Sequence, residues 1–103
     1  MTCLPGRCLI SFDPDDDVIS KPGMKFDVIL PYNGRKARTA FCHLHNNDGC
    51  FDEDLSSKRI LVDRWSGTPF TVVKDGKEYE FYTISQWAIL AVLDEKLDEV
   101  KGE

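Results

Sequence analysis

Ser85-Gln86-Trp87-Ala88-Ile89-Leu90-Ala91-Val92-Leu93-Asp94-Glu95-Lys96-Leu97-Asp98-Glu99-Val100 is the stretch on which the fold class turns. Wound at about 3.6 residues per turn, Ile89, Leu90, Leu93, Leu97 and Val100 form one broad stripe with Trp87 at its edge. Asp94, Glu95, Asp98 and Glu99 fall mainly on the remaining face. Thr83 and Gln86 have the spacing of a capping box, and Ser85 is an alternative N-cap. The pattern predicts one C-terminal α-helix from about Ser85 to Val100. Ala88, Ala91 and Val92 lie opposite the stripe, so the first half of such a helix is apolar nearly all round. That half is either buried between a sheet and a loop or offered to a partner.

Working back along the chain, Phe70 to Val73 and Lys77 to Tyr82 flank Asp75-Gly76. This dipeptide tolerates the positive φ angles of a type I′ turn. A two-residue turn there pairs Val72 with Tyr79 and Phe70 with Phe81 on one face. Ser66-Gly67-Thr68-Pro69 turns the chain after a strand expected from Arg59 to Trp65. Further upstream, Phe26, Val28, Leu30 and Tyr32 alternate with Asp27, Ile29 and Pro31 and run into Asn33-Gly34, a second hairpin signal. Its register sets Leu30 opposite Ala37, Val28 opposite Thr39 and Phe26 opposite Phe41. Cys8 to Phe12 reads as a first strand, and Asp13-Pro14-Asp15-Asp16-Asp17 as a loop. The expected fold is α+β and covers residues 1–103 as a single domain. It is an antiparallel β-sheet or SH3-like partial barrel of five to six strands, with two tight hairpins, packed by one C-terminal α-helix.

Of the 103 residues, 42% are hydrophobic and 30% charged, which is globular composition. The net charge of −5 works against non-specific nucleic-acid binding, which needs cations to replace phosphate counterions, but leaves room for a local basic patch. No stretch approaches the roughly 20 apolar residues that span a bilayer. Met1 to Ile10 lacks the apolar run of a signal peptide, so a cytoplasmic location and reduced cysteines are expected.

The sharpest cluster of chemistry-bearing residues is Cys42-His43-Leu44-His45-Asn46-Asn47-Asp48-Gly49-Cys50. With Cys3 and Cys8 it offers enough thiolate and imidazole ligands for tetrahedral zinc. The spacing opposes this, since Cys42 and Cys50 form no knuckle and strict alternation turns Cys42 away from a face shared by His43 and His45. Those two histidines could instead hold a catalytic metal, but nothing in the sequence fixes Asp48 or Asp52 as a third ligand. Asp13, Asp15 and Asp17 mimic the start of a calcium loop, yet Val18 replaces the glycine and Met24 the closing glutamate such loops need. No nucleophile elbow and no phosphate-binding glycine loop occurs.

These observations lean away from catalysis. They lead to the expectation of a non-catalytic protein-binding domain without a cofactor, a small acidic inhibitor of a larger machine. Phage-encoded anti-defence proteins and immunity proteins are of this general type. The negative surface would come from Asp15, Asp16, Asp17, Asp52, Glu53, Asp54, Glu95 and Glu99, and the apolar contact from Ala88 and Val92. The chain would act as a monomer or homodimer on a larger protein partner. The alternative is a small zinc-binding or nucleic-acid-associated module, using Cys3, Cys8, Cys42, Cys50, His43 and His45 for the metal. Tyr32, Arg35, Lys36 and Arg38 would then meet the nucleic acid.

Overall fold

A computed structural model of the chain describes residues 1–13, 18–19, 28–29 and 36–93. Its strands are β1 (Arg7–Phe12), β2 (Val18–Ile19), β3 (Val28–Ile29), β4 (Ala37–Asn46), β5 (Arg59–Asp63), β6 (Thr68–Lys74), β7 (Lys77–Ser85) and β8 (Ile89–Val92). Six form one antiparallel sheet in the order β6-β7-β1-β4-β5-β8, and β2 and β3 pair separately. Among the described residues no helix is long and apolar enough to cross a membrane.

The expected α-helix from Ser85 is not there: over the described residues the domain is all-β, with a lone 3₁₀ turn at Gln86–Ala88. The later half of the expected helix, including Glu95 and Glu99, lies outside the described residues. The reason is tertiary. Ser85 does cap, its Oγ accepting the Trp87 N–H at 3.2 Å, but after Ala88 the chain completes the open edge of β5. Ile60 pairs with Val92, Leu61 with Ala91 and Val62 with Ile89, and the Leu93 N–H reaches the Arg59 carbonyl at 2.8 Å. A short apolar run serves a buried strand as well as a helix, and a free sheet edge decides between them.

The Asp75-Gly76 hairpin forms with the register read from the sequence, Val72 opposite Tyr79 and Phe70 opposite Phe81. Both turn residues have positive φ, 53° and 77°. Of the register expected around Asn33-Gly34, the Val28–Thr39 pair does not form, and Phe26, Leu30 and the Asn33-Gly34 turn lie outside the described residues. Val28 pairs with Ile19, and β4 has both edges occupied, with Phe41 lying between Ser11 and Arg59.

The sheet cannot be flat. From β7 to β8 there are four inter-strand steps, about 19 Å in a flat sheet. The four Cα–Cα steps from Ser85 to Ile89 reach at most about 15 Å. Curling draws Ile84 of β7 into one cluster with Cys8, Ile10, Ala40, Cys42, Leu55, Ile60 and Val62. Ala88, Ile89 and Val92 pack against that cluster from the turn and the last strand.

Candidate functional site

The ladder between β1 and β4 is in step from Phe12↔Ala40 to Ile10↔Cys42 and resumes one residue out of step at Leu9↔Leu44 and Cys8↔His45. The extra residue is His43, and a bulge of this kind resets the alternation beyond it. Cys42 and His45 therefore both face the core, opposite Ile10 and Cys8, while His43 stays with Ser11 and Phe41 on the other face. The expected face shared by His43 and His45 is corrected by that one inserted residue.

His45 is buried and satisfied at both ring nitrogens. Nδ1 accepts the Leu55 N–H at 3.0 Å, which leaves Nε2 as the donor to Gln86 Oε1, also at 3.0 Å. Gln86, fully buried, donates onward to Asp48 at 2.6 Å and through its backbone N–H to the Gly6 carbonyl at 2.9 Å. These bonds tie the end of β4, the following loop, the chain start and the 3₁₀ turn together. They occupy the lone pair a metal would need.

Cys8 and Cys42 are both fully buried, and the Cys42 thiol donates to the Leu44 carbonyl at 3.4 Å. The neighbouring Cys42 thiol, with burial, pushes Cys8 far above the usual thiol range. Cys3 is half-buried and Cys50 exposed, so the four cysteines are spread from core to surface. Among the described residues no group of three or more His, Cys, Asp or Glu side chains is placed to hold a metal ion.

His43 was not linked to Ser11 by the sequence reading, because the contact requires the β1–β4 pairing. Ser11 Oγ and His43 Nε2 lie 2.6 Å apart, and the imidazole meets the Phe41 and Phe81 rings edge-on at 5.0 and 5.3 Å. Hydroxyl and imidazole at this range resemble a nucleophile and its base. Ser11 is, however, held within a paired strand, opposite Phe41. The contact reads better as a cross-strand bond.

Desolvation lowers the His43 pKa. The unfolded chain therefore binds the proton more readily, and the stabilisation from neutral His43 is present above about pH 6.5 and lost as pH falls below it. His43→Gln should flatten the fall in urea midpoint between pH 7.5 and 5.5. Parallel slopes in wild type and variant would show that His43 does not titrate into the fold.

Of the expected basic patch, Lys36 and Arg38 fall within the described residues. Arg38 lies over the Phe12 ring, 4.5 Å from its centroid, and donates to the Asp13 carbonyl at 2.9 Å. Lys36 is exposed, while Tyr32, Arg35 and the acidic run Asp15, Asp16 and Asp17 lie outside the described residues. Asp13, read as part of a solvated loop, is instead 7% exposed. Its carboxylate accepts from Arg59 at 2.6 Å and from the Thr39 hydroxyl at 2.8 Å.

Several large apolar side chains are exposed, Trp65 at 81% and Leu4 at 75% among them, and one of them, Trp87, stands beside an acidic loop. Trp87 is 66% exposed and Leu90 58%. The indole stands edge-on to Phe51 at 5.6 Å, and Phe51 in turn meets His45 at 5.5 Å. Phe51 opens into Asp52, Glu53 and Asp54, all exposed. The loop is held by its own side chains. Asn47 Oδ1 accepts the Gly49 and Phe51 N–H groups, and Asp54 accepts the Ser56 N–H at 2.8 Å. The Ser56 bonds lower the Asp54 pKa, and the Gln86 amide does the same for Asp48. Ala88 and Val92, expected to face a partner, pack on the core instead. Trp87 and Leu90 are exposed, whereas the helical reading placed Leu90 in the apolar stripe and Trp87 at its edge. No protein-family model matches the chain, and no curated protein is significantly similar to it.

Proposed function

We propose that this is a non-catalytic protein-binding domain, an acidic inhibitor-like module that occupies an apolar, basic-rimmed surface of a larger protein. The observation that carries this reading is Trp87, left two-thirds exposed on a capped 3₁₀ turn and set edge-on to Phe51, next to Asp52, Glu53 and Asp54. Exposed tryptophan on an ordered support is a frequent energetic centre of interfaces, since it buries a large area and loses little entropy. Carboxylates around it steer a basic partner and repel acidic ones. Asp54, held ionised by Ser56, keeps its charge into mildly acidic conditions.

The test is a photo-crosslinking amino acid placed at position 87 in the cells that make the protein, with the exposed position 36 as control. The expected result is a discrete adduct with one protein, formed from position 87. It should be lost when Asp52, Glu53 and Asp54 are neutralised together. Association with the identified protein should slow as salt rises. An absence of any adduct beyond the control, or an adduct indifferent to the acidic loop, would overturn the reading.

A further inference from the structure

The outer edge of β6 carries an interface independent of Trp87. In a two-residue hairpin the pair flanking the turn, here Lys74 and Lys77, exchanges both backbone hydrogen bonds, and pairs alternate from there. Val72–Tyr79 and Phe70–Phe81 are therefore bonded pairs. Pro69, Thr71 and Val73 sit in the non-bonded pairs, with their free backbone groups directed off the edge. Pro69 has no N–H to give, so Thr71 and Val73 are the two complete donor–acceptor positions there. β6 ends the sheet order, Val73 is 66% exposed and Tyr79 45%.

We infer that β6 pairs with β6 of a second copy, antiparallel about a two-fold axis at Val72. The spacing of the edge is self-complementary in this register. Thr71 meets the second copy's Val73 and Val73 meets its Thr71, giving two reciprocal bonded pairs. A two-fold at Thr71 would set Val73 against Pro69 and lose a donor at each end. The charges agree with the register. Lys74 is the sole charged residue of β6. The two-fold sets it opposite the second copy's Phe70, whose ring already lies beside Phe81 at 6.0 Å, and keeps the two Lys74 side chains at opposite ends. The apolar row becomes Tyr79, Val72, Val72 and Tyr79 across the junction. An unrelated extended peptide would find the same backbone groups but not this reciprocity of lysine with aromatic ring. Pairing of β6 with the β8 edge of another copy would be head-to-tail, and would build a ring or a filament rather than a two-fold dimer.

Sedimentation of the full chain from micromolar to millimolar concentration tests the pairing. Wild type should pass from monomer to dimer. Thr71→Pro removes an outward N–H without touching the bonds to β7, and Val72→Lys opposes two ammonium groups on the axis. Each should weaken the dimer about tenfold or more. Hydrogen exchange on the unaltered chain gives a second reading that does not depend on variants folding. The Thr71 and Val73 amides should gain protection as concentration rises, while amides bonded within the hairpin do not change. A chain that stays monomeric throughout, a dimer that survives both substitutions, or Thr71 and Val73 amides indifferent to concentration would each overturn the inference. Concentration-independent protection of those amides after recovery from cells would identify a different occupant.

Discussion

Asp13→Ala should cost the fold about 3–5 kcal/mol, the usual penalty for breaking a buried ion pair by removing one partner. The Asp13 carboxylate is 2.6 Å from the Arg59 guanidinium, with side chains 9% and 14% exposed. Little water is present to replace what is lost. The substitution also removes the acceptor of the Thr39 hydroxyl, a residue 1% exposed. A domain of this size has roughly 5–15 kcal/mol in all, so the loss would take a large share of the total. Urea denaturation gives the number directly. If Asp13 belonged to a solvated acidic loop, the loss would stay within about 0.5 kcal/mol, and such a result would refute the buried pairing.

Gly67→Ala should cost about 2–5 kcal/mol, for two reasons that a second variant separates. Gly67 has φ +100°, and a Cβ built there would stand 2.7 Å from Cγ2 of Ile84. Ile84 is fully buried in the core and cannot swing aside. Gly49 has nearly the same φ, +99°, with nothing within 4 Å of the added atom. Gly49→Ala therefore carries the backbone strain alone. The difference between the two urea midpoints should correspond to about 1–3 kcal/mol of overpacking. Equal losses would mean that the approach to Ile84 is not a real constraint.

The sequence made some of this legible and hid the rest for identifiable reasons. Asp75-Gly76 announces its hairpin because both positions must adopt positive φ and the turn length then fixes every pair down to Thr68 and Thr83. Asn33-Gly34 carries the same local signal, but pairing Val28 with Thr39 would require an edge of β4 that β1 and β5 already fill. The capping signal at Ser85 was also real. It caps one turn, because the backbone edge of Arg59–Asp63 is a long-range demand that no window around Ser85 contains.

The site followed the same division. Asp52, Glu53 and Asp54 were visible as charge. Trp87 as an exposed anchor was not, since its exposure depends on the chain leaving the helix after Ala88. The opposed faces of His43 and His45 were invisible in principle. Phe41, His43 and His45 keep a perfect alternation in sequence, and only the partner strand reveals the extra residue.

The three-residue turn that carries the chain from β7 to β8 also sets a schedule for synthesis. A nascent chain that has emerged only as far as Ser85 has β1, β4, β5 and the long hairpin, yet β5 still presents an unpaired edge. At that length Gly6, His45 and Asp48 have no Gln86 to meet. These contacts are long-range, with His45 and Asp48 41 and 38 residues from Gln86 and Gly6 further still, the arrangement that makes folding slow and late. Ribosome-bound chains stalled before Val92 should therefore need protection from self-association, and closure should come as one late event once β8 is free.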